Sequence, residues 1–295
     1  MANAPHIPVH LGAMGECVRQ VSRRVPEISP GDVIVTNDPF LGGSHLPDIT
    51  VVTPVFDGAG GELLFYTASR AHHAEIGGRR PGSMAPDSKN LSEEGVLLKG
   101  FKVIEAGRPR LSELERVLRS GPWPSRCPRE NLADIEAQVA ANRVGARRLE
   151  ELIAARGRRT VLGYMAHIQA AARRLMEVHL EELPRGERVF EDELDDGTKI
   201  MVKLEIGGRR ARLDFSGTAQ VLDNNFNATP AIVSSAVLYC FRCLIDGDIP
   251  LNAGVLEPLD VLLPECFLHP PAAEDPAEGP AVAAGNGEAS QGVVA

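Results

Sequence analysis

The stretch GDVIVTNDPFLGGSHLPDITVVTPVF, residues 31–56, decides the first part of the fold. Its two flanks, DVIVTND and DITVVTPVF, are rich in β-branched residues and are bounded by Gly, Pro, Asn and Asp, which is typical of strands. The loop between them ends on His45 and Asp48, three residues apart, after a glycine pair. The sequence therefore predicts two strands joined by a polar loop that carries groups able to bind a metal or a substrate.

The rest of the chain alternates between strand-like and helix-like patterns. ELLFYTAS predicts a third strand, TKIMVKLEIGG and RARLDFSG predict a hairpin, and residues 229–245 predict a buried helix. RGRR at 156–159 is expected to divide one long helical region into two helices. These patterns predict an α+β fold with mixed sheets. Its expected parts are strand-rich 1–128, helical 129–184, strand and helix 185–268, and a flexible Pro-, Ala- and Gly-rich 269–295.

Composition excludes several classes of partner. A net charge of −9 argues against nucleic acid, since phosphate binding needs a basic surface. No apolar run approaches the roughly 18 residues of a membrane span, so no membrane partner is expected. Five scattered cysteines fit a reducing cytoplasm. The single Cys-x-x-Cys, Cys240 and Cys243, lies in an apolar run, which favours buried structural thiols over zinc or redox chemistry.

A second polar cluster, ASRAHHAEIGG at 68–78, follows the third predicted strand. Neighbouring side chains of a strand point to opposite faces, so one of His72 and His73 is expected to join His45 and Asp48. Two histidines and one carboxylate with open positions suit Mn²⁺, Fe²⁺ or Zn²⁺. The alternative, ordinary polar loops between strands, stays open. The nearest further carboxylates, as ligands or as groups that orient ligands, are Asp38 and Glu75.

The same two blocks carry a family resemblance. Residues 31–56 and ASRAHHAEIGGRRPGSMAPDSKNLSEEGVLL resemble the hydantoinase B/oxoprolinase family, and so do NLADIEAQVAANRVG, DFSGTAQVLDNNFNA, DIPLNAGVLEPLDV and GNGEASQ. The resemblance implies a hydantoinase B-type fold that acts with a separate A-type subunit or domain. That partner would use ATP and Mg²⁺ to activate a small cyclic amide, which the B-type part then hydrolyses, in a hetero-oligomer.

The resemblance also selects site residues. It implies His45, Asp48 and His72 as metal ligands, with His73 as the alternate. Water on that metal, its pKa lowered, would attack the activated ring, and Asp38 or Glu75 would take the proton. The expected donors to the substrate carboxylate or the developing oxyanion are Asn37, Ser44 and Ser83.

The sequence is compatible with three functions. The first is opening of 5-oxoproline or a hydantoin. The second is an acetone carboxylase-like subunit, distinguished by dependence on bicarbonate. The third is a non-catalytic binding or assembly partner of an A-type subunit, since the family pattern extends beyond both ends of this sequence and the chain is expected to be a fragment.

Overall fold

The computed structural model describes residues 10–58, 61–245 and 250–295. Within them the chain forms six α-helices and nine strands in a mixed α/β arrangement with two sheets. The helices are α1 Leu11–Arg24, α2 Leu111–Leu118, α3 Pro128–Arg156, α4 Arg158–Glu182, α5 Pro230–Leu244 and α6 Gly285–Val294. The strands are β1 Val33–Thr36, β2 Asp48–Phe56, β3 Leu63–His72, β4 Phe101–Glu105, β5 Arg108–Pro109, β6 Gly186–Glu193, β7 Lys199–Ile206, β8 Ala211–Asp214 and β9 Leu259–Leu262.

The first sheet is antiparallel, with strand order β3-β2-β1-β4-β5. All four residues of β1 are buried, because helices cover both faces of the sheet. Val35 and Val51 face a core shared with α2 and α3, whereas Ile34 and Val52 pack with Val21 of α1 on the other face. The alternation of faces along each strand explains the continuous β-branched runs in the sequence.

The second sheet has the order β6-β7-β8-β9, with β8 and β9 parallel. The β7–β8 pair is antiparallel, which confirms the hairpin predicted at the glycine pair 207–208. One face of this sheet packs on α4, α5 and α6 in the second large core, around Phe215, Ile232 and Phe267. The buried helix predicted at 229–245 is confirmed as α5.

The long helical region divides where the sequence predicts. Gly157 ends α3 with φ 84°, a backbone conformation that favours glycine, and α4 begins at Arg158. The chain therefore changes helix at this residue, and α3 packs in the core of the first sheet whereas α4 packs in the core of the second. Their combined range, 128–182, agrees with the predicted helical segment to within two residues.

The part predicted to be strand-rich, residues 1–128, contains a helix that the sequence does not predict, α1 at Leu11–Arg24. Ala13, Cys17 and Val21 recur every four residues and are buried, which is a helical face. Gly12 and Gly15 lower the helix propensity of the segment and hide that face. Gly12 is needed because a Cβ there would lie 2.7 Å from the backbone nitrogen of Ser235 on α5. The strand-rich part contains a further helix, α2.

Flexibility is predicted for residues 269–295, but the structure gives part of this segment fixed contacts. Residues 281–283 are buried, and α6 follows them. The Nδ2 group of Asn227 donates to the carbonyl of Ala281, and the amides of Ala284 and Gly285 donate to the carbonyl of Asn225. Composition misses this order because partners about 60 residues away supply it.

Two further expectations concern the surface of the chain. Among the described residues, no helix combines the length and apolarity that crossing a bilayer requires. Cys240 is only partly buried and Cys243 is exposed, so the expectation that both are buried thiols is wrong for Cys243. The two lie on the last turns of α5, where the helix leaves the core.

Candidate active site

The predicted metal ligands meet at the open end of the β2–β3 hairpin. Asp48 is the first residue of β2 and His72 is the last residue of β3, and the two are direct partners in the antiparallel register. Directly paired residues place their side chains on the same face of a sheet. A turn closed by the hydrogen bond from the Asp48 amide to the His45 carbonyl, 3.0 Å, brings His45 to the same place.

The nitrogen and oxygen atoms of these three side chains converge. His45 Nε2 lies 3.1 Å from His72 Nδ1 and 3.4 Å from Asp48 Oδ2, and His72 Nδ1 lies 3.2 Å from Asp48 Oδ1. One ligand atom from each residue lies within 4.8 Å of the others. The side chains of His45 and Asp48 are 7% and 2% exposed, whereas that of His72 is 53% exposed, so solvent reaches the group from the His72 side.

The charges of the three residues depend on one another. Burial opposes the charged form of Asp48, but the hydrogen bond from His72 and the neighbouring imidazoles outweigh it and lower the Asp48 pKa. The same hydrogen bond raises the pKa of His72. Burial lowers the pKa of His45, which keeps that ring neutral. A carboxylate beside a neutral imidazole is the donor pair that a divalent cation requires.

A separate observation indicates that these three residues fit a metal ion. Asp48 Oδ2 is buried and has no hydrogen-bond partner among the described residues, although it faces His45. A buried carboxylate oxygen without a partner is costly, and a cation at this point would satisfy it. Two imidazole nitrogens and one carboxylate on one side, with an open side beyond His72, match Zn²⁺, Mn²⁺ or Fe²⁺.

His73 lies apart from the group. It is buried on the opposite face, where its Nε2 lies 3.2 Å from Gln138 Oε1 and its Nδ1 lies 3.3 Å from Asn131 Nδ2. The side chains of His72, at the end of β3, and of His73, just after it, therefore lie on opposite faces, as the sequence predicts. The geometry supports His72, rather than the alternate His73, as the third ligand.

The two predicted proton acceptors have different surroundings. Asp38 is buried, accepts a hydrogen bond from the Phe40 amide, and has its pKa raised by that burial. Burial acts on Glu75 in the same direction, but hydrogen bonds from Ser125 and from the Arg126 and Cys127 amides outweigh it and lower its pKa. Glu75 thus holds the start of α3, and neither carboxylate belongs to the group of three.

The three predicted substrate donors are buried and already bonded. Asn37 donates to the carbonyls of Leu46 and Val96 and accepts from the Leu98 amide. Ser83 donates to the Gly77 carbonyl and accepts from the Ile76 amide, both at 2.7 Å. Ser44 is 3.4 Å from an Arg70 guanidinium nitrogen. These contacts give all three residues a structural role, and a role in substrate binding stays a prediction.

Two features of the site are not predicted from the sequence. His10, just before α1, places its Nε2 3.9 Å from Asp48 Oδ1. Three buried amides of α3 bond to main-chain carbonyls beneath the site: Asn131 to Glu75, Gln138 to Ile49 and Ser69, and Asn142 to Val51 and Thr67. Their spacing of seven and four residues places the three amides on one face of the helix. Amide side chains at this spacing are the pattern in the sequence that could have predicted these contacts.

A separate groove of about 370 Å³ lies against the second sheet. It is lined by apolar residues of β7, α5 and the end of α6, among them Val202, Phe241 and Val293. None of His45, Asp48 and His72 lines it. The groove is therefore distinct from the group of three.

The geometry defines a candidate metal centre on an α/β scaffold, and comparison with known proteins identifies the scaffold. The hydantoinase B/oxoprolinase family model matches residues 1–295, and the chain belongs to that family. It is 43% identical to 5-oxoprolinase 1 of Arabidopsis thaliana, over 99% of this chain and 25% of that protein. Its fold matches the crystal structure of the ATP-dependent caprolactamase from Pseudomonas jessenii with a TM-score of 0.84 and 27% identity, over 98% of this chain and 50% of that one.

A nucleotide-free structure of acetone carboxylase is similar too, with a TM-score of 0.75 and 19% identity over 94% of this chain and 38% of that one. Identity this low shows a shared fold alone. The predicted family and the hydantoinase B-type fold are confirmed. The chain spans half or less of the length of these relatives, and it corresponds to the B-type portion of a family of ATP-dependent cyclic amide hydrolases.

Proposed function

We propose that this chain is the hydrolytic B-type component of an enzyme that opens a cyclic amide, with 5-oxoproline as the first substrate and hydantoins as the second. The observation that carries the proposal is the convergence of His45, Asp48 and His72 at the end of one hairpin, with a buried Asp48 oxygen that has no hydrogen-bond partner in the described part of the chain. The relative at 43% identity is named a 5-oxoprolinase, which supports that order of substrates.

In this proposal His45, Asp48 and His72 hold one divalent cation, Mn²⁺, Zn²⁺ or Fe²⁺. Such a cation supplies a water molecule of lowered pKa as the nucleophile. The two buried ligands keep bulk water from one side, and the exposed ring of His72 marks the side from which substrate arrives. Asp38 and Glu75 are the proposed proton acceptors; Glu75 accepts hydrogen bonds from Ser125, Arg126 and Cys127, whereas Asp38 accepts one from the Phe40 amide.

Activation of the amide is assigned to a partner. A-type subunits or domains bind ATP and Mg²⁺ in the proposed scheme, and no phosphate-binding loop occurs in this sequence. The working enzyme is then a hetero-oligomer in the cytoplasm in which the partner activates the ring and this chain hydrolyses it. The similar caprolactamase is named ATP-dependent, which supports the coupling of ATP use to lactam hydrolysis in this proposal.

The test combines this chain with its A-type partner, ATP, Mg²⁺ and 5-oxoproline, and compares His72→Ala with His167→Ala. Both histidines are exposed, but His167 lies on α4, beside Tyr164. The proposal expects bound metal and hydrolysis in the wild type and in His167→Ala, and at least about 100-fold less hydrolysis in His72→Ala.

Other outcomes separate the alternatives. If neither 5-oxoproline nor a hydantoin is opened with ATP, the proposal is wrong. Acetone consumption that requires bicarbonate would instead establish the carboxylase-like function. Binding of the A-type subunit without turnover of any of these substrates would establish a non-catalytic partner.

A further inference from the structure

Arg70 is a charged residue of the β2–β3 hairpin that no step of the proposed reaction uses. It lies on β3 directly opposite Thr50 of β2, two residues along from the pair of Asp48 and His72. Alternate residues of a strand face the same side of a sheet. Arg70 and Thr50 therefore share the face of the sheet on which Asp48 and His72 meet.

The guanidinium of Arg70 joins this face to the loop before β2. Its Nε donates to Thr50 Oγ1 at 2.8 Å, and its Nη2 donates to the Gly42 carbonyl at 2.8 Å. Its Nη1 lies 3.4 Å from Ser44 Oγ. The donors of a guanidinium diverge in fixed directions, so one planar group can connect several acceptors. Arg70 thus contacts β2 and two residues of the loop that leads to His45.

This loop depends on side chains for its hydrogen bonds. Residues 42–48 are all buried, and a buried carbonyl needs a partner. Gly42 has φ 81°, and a Cβ there would lie 2.4 Å from a main-chain nitrogen of α1, so the loop passes tightly against that helix. The Gly42 carbonyl accepts from Arg70, and the Gly43 carbonyl accepts from the Thr229 hydroxyl at 3.1 Å. Side chains from distant elements therefore fix the loop.

We propose that Arg70 is a positioning residue for His45. Asp48 and His72 are held in place by their pairing within the sheet, whereas His45 lies in the loop before β2. Arg70 ties that loop to the hairpin and so keeps the His45 ring beside the other two side chains. Residues that orient metal ligands typically change metal affinity 10- to 100-fold when they are replaced. The inference rests on the proposed function in one respect, that His45 binds a metal.

A role through position differs from a role through charge in the sign of its effect. A guanidinium repels a nearby divalent cation, so removal of its charge alone would tighten cation binding. Loss of the contacts with the loop would weaken cation binding. Lysine keeps the charge of arginine but lacks the planar fork that spans β2 and the loop. The variant Arg70→Lys therefore isolates position from charge.

The test compares Arg70→Lys with Arg126→Lys in the full chain. Arg126 is a matched control, because its guanidinium also holds a glycine pair, donating to the carbonyls of Gly77 and Gly78 at 3.3 and 2.7 Å. The measured quantity is the dissociation constant for Zn²⁺ at the site that His45→Ala removes, against a chromophoric chelator. It is expected to rise at least about 10-fold in Arg70→Lys. In Arg126→Lys it is expected to stay within about twofold of the wild type. Unchanged or tighter binding in folded Arg70→Lys overturns the proposal.

A second measurement needs no metal. The Asp48 amide donates to the His45 carbonyl at 3.0 Å, and its hydrogen exchange reports whether this turn stays closed. In the metal-free chain its exchange is expected to be at least about 10-fold faster in Arg70→Lys and unchanged in Arg126→Lys. The Ala228 amide, in the second core, should exchange at the wild-type rate in both. Equal acceleration at Ala228 would show a general loss of stability and would overturn the proposal, as would an unchanged rate at Asp48.

The remaining outcomes are also decided. If Arg70→Lys does not fold, Thr50→Val replaces it, because this variant removes only the acceptor of Arg70 Nε and keeps the shape of the side chain. It should weaken Zn²⁺ binding about threefold or more, and unchanged affinity would overturn the proposal. A wild-type chain that binds no Zn²⁺, with faster exchange at Asp48 in Arg70→Lys, counts against the proposed metal centre and leaves the fixing of the loop by Arg70 established.

Discussion

Glu94, a carboxylate that is 1% exposed and accepts hydrogen bonds from the Val282 and Ala283 amides and the Ser88 hydroxyl, predicts how the stability of this chain depends on pH. Burial away from water raises its pKa from 4.5 to about 7, against the opposing effect of its hydrogen bonds to Val282, Ala283 and Ser88. A raised pKa means that the folded chain holds the proton more tightly than the unfolded chain. The stabilisation is therefore fully present below pH 4.5 and is lost as the pH rises through 7. The shift corresponds to about 3 kcal/mol of unfolding free energy.

The perturbation that isolates this effect is Glu94→Gln, which keeps the shape of the side chain and cannot ionise. Other groups give the wild type pH dependence of the opposite sign, among them Asp48 and Glu75, whose pKa values are lowered. Those groups are common to both proteins, so the difference in unfolding free energy between wild type and variant removes them. Between pH 4.5 and 8 the wild type is expected to lose about 3 kcal/mol relative to the variant.

Urea denaturation followed by circular dichroism at several pH values measures this difference. Ser88→Ala is a useful control because it removes one hydrogen bond to Glu94 but keeps the ionisable group. Because that hydrogen bond lowers the pKa of Glu94, Ser88→Ala should keep the pH dependence of the wild type in sign and enlarge it. A difference between wild type and Glu94→Gln that stays constant from pH 4.5 to 8 would refute the assignment of this pH dependence to Glu94.

Three further predictions concern packing and metal binding. Gln138→Leu leaves the carbonyls of Ile49 and Ser69 without their side-chain donor and should lower the free energy of unfolding by about 2 kcal/mol in urea denaturation; an unchanged midpoint would show that these bonds contribute nothing. Gly285→Ala should abolish soluble expression, because the added Cβ would lie 2.0 Å from a main-chain oxygen. Gly287→Ala should express like the wild type, because a Cβ at Gly287 meets no atom within 4 Å, and equal yields of the two variants would contradict the packing argument. Zn²⁺ at about 100 times its dissociation constant should raise the unfolding free energy by about 2.7 kcal/mol, and Asp48→Asn should remove the effect in thermal denaturation; stabilisation that survives in Asp48→Asn would place the metal elsewhere.

The sequence predicts most elements that have a clean periodicity. The sequence predicts strands β1 and β2 from their β-branched runs, and it predicts the helix break at Gly157. Each of these features depends on local backbone preferences. Helix α1 is harder to find, since Gly12 is placed there by a contact with α5 more than 200 residues away. Order in residues 281–284 likewise depends on Glu94 and Asn225, which no local pattern connects to that segment.

The candidate site likewise contains residues that the sequence predicts and residues whose roles it does not predict. His45, Asp48 and His72 are suggested by residue type and by alternation along a strand, and the family resemblance selects His72 over His73. The structural roles of Asn37 and Ser83 cannot be predicted from residue type, because a polar side chain next to a candidate site is equally able to bind substrate or backbone. His10 approaches Asp48 because the helix that follows it, α1, packs against α5 and against the first sheet. Tertiary packing, and not the local pattern, decides these cases.

The amide side chains of α3 have a consequence for how this scaffold tolerates change. Gln138 and Asn142 donate to carbonyl oxygens of β2 and β3, which are present whatever side chains those strands carry. Outward-facing residues of the hairpin can therefore be exchanged in evolution or by design without loosening the helix beneath it. The position of Asp48 opposite His72 is held through the main chain. Substitutions on the outer side of the hairpin then leave the pairing of Asp48 with His72 in place.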